Sequence, residues 1–175
     1  RIGIGASIDA IGDLNYYIRY PSRFKKIWEN LNKLSSADGN FKIWYATTIS
    51  VYNVFVLPEM LEYIVRNTLP RVNDDDMKPI MSPHPLHGPH FLNIRMLPKE
   101  VKDKIANKFE DSKENLDSVI DEFILDESRN IASKNQMRKI LDTYKEFMYA
   151  KDMSASIPKF WEHTRKLDAI RGHKF

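Results

Sequence analysis

The sequence predicts an α/β fold on parallel strands. Short apolar or β-branched runs are each followed by a helical pattern, and the last third of the chain carries helical periodicity alone. Three βα units in series imply a parallel sheet, read here as part of a TIM-type barrel wall over 1–111, with a helical extension over 112–175.

In the first unit, Ile2, Ile4, Ala6 and Ile8 alternate with Gly3, Gly5 and Ser7 and the run ends at Asp9, a strand whose glycines allow close backbone approach. Pro21 fits the first turn of a helix that places Phe24, Ile27, Trp28, Leu31 and Leu34 on one face before Asp38-Gly39 breaks it. The second unit has a strand over Phe41 to Ser50. A helix opened by Pro58 follows, carrying Leu61, Ile64 and Val65 and ending near Leu69-Pro70.

Residues Val72 to Pro89 hold Asp74, Asp75, Asp76, four prolines and a glycine, so this stretch reads as a long loop, with the aspartates a solvated face. The third unit is a strand over Phe91 to Leu97 and a helix opened by Pro98, with Val101, Ile105 and Phe109 facing inward. Two further helical stretches carry Leu116, Val119, Ile120, Phe123 and Ile124, then Met137, Ile140, Leu141, Tyr144, Phe147 and Met148. A last helix runs from Pro158 to Arg171 and stops at Gly172. Trp28, Trp44, Trp161 and the Met137 to Met148 stripe sit at core-compatible spacing.

A chain of 175 residues, 42% hydrophobic, is long enough to bury one substantial core. The net charge of +3 is not gathered into a basic run, so nothing supports a nucleic-acid partner. No run approaches the roughly 18 apolar residues of a membrane span, and the chain reads as cytoplasmic. The absence of cysteine excludes a disulfide framework, a thiolate-held zinc and a thiolate-held iron-sulfur cluster within these residues. The start at Arg1, already in a strand pattern, and the small number of strands suggest a piece of something longer with an exposed sheet edge on the Arg1 side.

Parallel α/β folds gather ligand-binding groups at the carboxyl ends of their strands. Ser7 and Asp9 share one side of the first strand's end. Arg19 downstream supplies a guanidinium, and Thr48, Ser50 and Asn53 close the second strand. Taken singly, Asp9 would cap a loop, Arg19 would be solvated, and Thr48, Ser50 and Asn53 would serve equally well as loop-closing side chains. His84, His87 and His90 could offer imidazoles to a metal, but the intervening prolines favour a turn-rich loop.

Ser7-Ile8-Asp9-Ala10, then Tyr17-Ile18-Arg19-Tyr20 and a helix with Trp28-Glu29-Asn30-Leu31, resemble the fourth strand-helix unit of radical S-adenosylmethionine (radical SAM) proteins. The likeness is greatest to the branch whose barrel carries a SPASM or twitch extension, where a Ser-Ile-Asp-Gly strand end leads to a downstream arginine. Thr47-Thr48-Ile49-Ser50-Val51-Tyr52-Asn53 before Leu57-Pro58-Glu59, Leu97-Pro98-Lys99, and Leu167-Asp168-Ala169-Ile170-Arg171-Gly172 resemble later stretches of the same branch. The family's CxxxCxxC loop and glycine-rich motif are absent.

The resemblance implies an oxidoreductase fragment. In it Ser7 would hydrogen-bond the methionyl part of S-adenosylmethionine, Arg19 would pair with its carboxylate, and Asp9 would orient Arg19 or meet the ammonium group. Thr48, Ser50 and Asn53 would contact ribose or adenine. The iron-sulfur cluster would come from upstream sequence, and the substrate would be a peptide or protein. The alternatives are a cluster-free partner subunit completing a split barrel with an N-terminal half-barrel in trans, and an unrelated α/β domain.

Overall fold

The computed structural model describes residues 2–39, 41–67, 69 and 81–172, so the aspartate run 74–76 lies outside the described residues. The elements, in chain order, are β1 (Ile2–Ser7), α1 (Gly12–Ile18), α2 (Phe24–Ser36), β2 (Phe41–Ile49), α3 (Leu57–Arg66), β3 (Met81–Pro85), α4 (Lys99–Phe123), α5 (Glu127–Tyr149) and α6 (Ile157–Arg171). The three strands form a parallel sheet in the order β1-β2-β3, with Ile4 opposite Ile43 and Thr47 opposite Pro83. The chain is therefore α/β, with six helices around this sheet among the described residues.

The pleat sorts the side chains of β2. Ile43, Tyr45, Thr47 and Ile49 are buried against helices, while Lys42, Trp44, Ala46 and Thr48 lie half-buried on the other face. The glycines of β1 earn their place there. A Cβ at Gly3 would come within 2.8 Å of the Trp44 ring, so the indole lies directly on the glycine backbone. On the helical side, Trp28 stacks on Tyr45 with ring centroids 5.9 Å apart.

The third βα unit differs from the sequence reading. Its strand is Met81–Pro85, inside the stretch read as loop, and Phe91 to Leu97 instead forms two 3-10 turns, His90–Leu92 and Ile94–Met96. The prolines that suggest a loop are tolerated for a geometric reason. Leu86, just past the strand, donates its N–H to the Ile49 carbonyl, so the alternate positions Pro83 and Pro85 turn their nitrogens away from β2, toward the sheet edge. Asn93 breaks the expected strand, because its Oδ1 accepts the Arg95 N–H at 2.9 Å and caps the second turn.

Three smaller expectations are also corrected. Pro21 does not open α2, which starts at Phe24, and the preceding connection contains the short helix α1. Val101 is 38% exposed, since the inward face of α4 is set by Lys102, Ile105, Ala106 and Phe109. Trp161 is 48% exposed and rests edge-on against Phe160.

α4 runs unbroken across residues 111 and 112, and one apolar cluster extends from Ile43, Tyr45 and Ile49 through α3 into Phe109, Leu116, Met137 and Leu141. α4 and α5 pack as an antiparallel hairpin laced on its polar side by Lys145–Glu110, Lys113–Asp142, Arg138–Asp117 and Lys134–Asp121. No helix among the described residues is long and apolar enough to cross a membrane.

Phe109→Ala removes a fully buried ring at the junction of sheet and hairpin and is expected to cost about 3–5 kcal/mol, whereas Trp161→Ala should cost under about 1 kcal/mol, both read by denaturant unfolding. Hydrogen bonds from Lys113 and then Lys145 hold the Glu110 carboxyl down at about 2. A depressed carboxylate stabilises the fold above its unfolded value, near 4.5, and loses that contribution as pH falls toward 2. Because the side chain is 44% exposed, the gap between wild type and Glu110→Gln should be under about 1 kcal/mol at neutral pH, and it should close between pH 4.5 and 2.

Candidate functional site

A cleft of about 570 Å³ opens at the carboxyl ends of β1 and β2, within the usual span of small-molecule sites. Its floor is Asp9, Thr48 and Ser50. One wall is Tyr17, Arg19, Tyr20 and Ser22 from α1 and the turn after it, and another is His163, Leu167 and Arg171 from α6.

The floor is rigid because its backbone is tied by buried amides and hydroxyls. Asn15 Oδ1 accepts the Asp9 N–H at 3.1 Å, Thr47 Oγ1 donates to the Ile8 carbonyl at 2.7 Å, and Asn53 Nδ2 donates to the Asp9 carbonyl at 2.7 Å. Asn53 also donates to the Thr48 carbonyl, and its Oδ1 accepts the Ser50 N–H at 2.7 Å. Asn15, Thr47 and Asn53 are all buried, so each bond is made where water cannot replace it.

Asp9, 4% exposed, is the hub. Its carboxylate accepts the Thr48 N–H at 2.8 Å and an Arg19 Nη2 N–H at 3.1 Å, and Arg19 Nε stands 2.7 Å from its second oxygen as an ion pair without hydrogen-bond alignment. The pair fixes the guanidinium plane while leaving other Arg19 N–H groups for the cleft, where the side chain is 30% exposed.

Of the residues expected from the sequence to contact the cofactor, Asp9, Arg19, Thr48 and Ser50 line this cleft. Ser7 is exposed on the open face of β1 and does not line the cleft. Asn53 lies beneath it as a scaffold residue. His84, His87 and His90 are exposed, and no group of three or more metal-ligating side chains occurs among the described residues.

The α6 wall escapes a local reading. Tyr52 Oη and Thr164 Oγ1 share a hydrogen bond at 2.8 Å, and Tyr52 packs on Phe160 at 5.6 Å. Arg171 Nη1 donates to the Tyr17 carbonyl at 2.7 Å, and its guanidinium lies 5.2 Å from the centre of the Tyr20 ring. Burial first, then the Asp168 carboxylate, push the Tyr17 phenol up, and burial does the same to Tyr52, so both remain neutral donors at physiological pH. The three-residue spacing of Asp168 and Arg171 in the last turn of a helix is the sequence signal that they act on one surface.

The cleft offers two guanidiniums, hydroxyls and neutral phenols around a rigid floor, which suits a polar ligand with an acidic group. With no cysteine in the chain, the thiolates of an iron-sulfur cluster are not among its residues. No family model, curated protein or solved structure matches this chain.

Asp9→Ala would strand the Thr48 N–H and release Arg19. It is expected to destabilise by about 2–3 kcal/mol in denaturant unfolding, less than a fully buried pair because Arg19 is partly solvated. Asp9→Asn, which keeps an acceptor for Thr48, should lose clearly less.

Proposed function

We propose that this chain forms the later wall of an S-adenosylmethionine pocket in a radical SAM-type oxidoreductase. The observation that carries the reading is the Asp9–Arg19 ion pair at the strand ends, lining a cleft of ligand size. It fits the motif order that resembles the family, in which an arginine downstream of the Ser-Ile-Asp strand end meets the methionyl carboxylate.

Arg19, pre-oriented by Asp9, would hold the carboxylate with the N–H groups that Asp9 leaves. The Thr48 hydroxyl would meet the polar groups of the nucleoside, with the Ser50 hydroxyl, engaged with Asn53 Oδ1 and the Tyr52 N–H, setting the floor behind it. Asp9 acts through Arg19 rather than on the ligand, since its oxygens already face Arg19 and the Thr48 N–H. Beside a reduced cluster held by other polypeptide, bound S-adenosylmethionine would supply radical chemistry, one electron from the cluster splitting its carbon–sulfur bond with methionine as the leaving group. The cluster would belong to polypeptide outside these 175 residues, in cis or in trans. A peptide or protein substrate accords with the same branch.

A second reading, a cluster-free subunit that completes a barrel in trans, is favoured by the β1 edge. β1 pairs only with β2 among the described residues, and Ile2 is exposed there. Both readings share the S-adenosylmethionine contact.

Calorimetric titration of the chain with S-adenosylmethionine should show saturable binding that Arg19→Ala weakens about 10- to 100-fold, the worth of a charge-assisted fork. Binding indifferent to Arg19→Ala, or no binding, overturns the proposal.

A further inference from the structure

The last turn of α6 brings a second guanidinium to the cleft. Arg19 and Arg171 are its two guanidiniums and Asp9 its one lining carboxylate, and that carboxylate is turned to Arg19 and the Thr48 N–H. On the α6 side Arg171 lines the cleft, with the Asp168 carboxylate one turn back engaged with the Tyr17 phenol. S-adenosylmethionine bears one carboxylate against two positive centres, so a single such ligand meets Arg19 and leaves the cleft-lining guanidinium of Arg171 for another acceptor.

Arg171 is also pre-oriented. One N–H edge is held by the Tyr17 carbonyl and the plane is set by the Tyr20 ring, an arrangement that fixes a fork for an in-plane acceptor rather than letting it swing in solvent. His163 lies on the same face of α6 about two turns before Arg171, is packed on Phe91 at 4.9 Å, and lines the same cavity.

We propose that Arg171 is the anchor for a second ligand of the cleft, a small molecule or chain end bearing a carboxylate or phosphate group. The inference rests on the S-adenosylmethionine reading only for the division of labour between the two arginines. The acidic group meets the Arg171 guanidinium at the last turn of α6, where Gly172 adopts the left-handed conformation that ends the helix. Ligand and helix are then coupled, because the same side chain ties α6 to α1 through the Tyr17 carbonyl.

The test titrates the chain with inorganic pyrophosphate and, separately, with succinate, following the arginine side-chain N–H resonances. Saturable shifts of Arg171 with either probe are expected, and the tighter probe identifies phosphate or carboxylate as the group recognised. Arg171→Gln keeps a donor for the Tyr17 carbonyl but no charge, and should weaken the binding at least about tenfold while the unfolding midpoint stays close to wild type. Arg171→Lys should recover part of it. Unsaturated behaviour with both probes at millimolar concentration, or equal binding by Arg171→Gln, overturns the inference. Both probes act without S-adenosylmethionine, so a failure at Arg19 and a failure at Arg171 are read separately.

Discussion

The cleft depends on the carboxylate of Asp9. It is a charge in a place where solvent cannot serve it, and it persists because two N–H donors and the Arg19 charge converge on its two oxygens. Through them the end of β1 is bound to the end of β2 and to the last residue of the α1 turn. Its own backbone is held from below by Asn15 and Asn53. What looks in the sequence like a ligand residue is first a joint between three elements, and Arg19 gains a defined orientation from it.

The α6 wall is assembled differently. α6 reaches the body of the protein through a small aromatic cluster, Tyr17, Tyr52, Met96 and Phe160, separate from the main core that joins sheet, α3 and the α4–α5 hairpin. Polar contacts finish the docking, Tyr52 with Thr164 and Arg171 with the Tyr17 carbonyl. A rigid floor facing a wall carried by a few aromatic contacts is an arrangement in which a bound ligand can add to the cohesion of the second wall.

The α/β class, β1, β2 and the four long helices are legible in the sequence because their periodicities are enforced by a single core. Asp9, Arg19, Thr48 and Ser50 are legible because strand ends in parallel folds are where such residues collect. β3 is not, since Pro83 and Pro85 read as breakers until the neighbour of the strand is known and their nitrogens prove to face the edge. The expected strand over Phe91 to Leu97 has strand-like residues, yet the capping side chain of Asn93 decides its shape. Arg171 and His163 join the site only through tertiary packing over more than a hundred residues, which no local pattern encodes.

The most direct test of a ligand cleft between the Asp9 floor and α6 is amide hydrogen exchange of the chain with and without S-adenosylmethionine. Slower exchange at residues 8–10, at Thr48 and Ser50, along 17–22 and in the last turn of α6, with the α4–α5 hairpin unchanged, is the predicted result. Protection confined to the hairpin, or none at the strand ends, would contradict it.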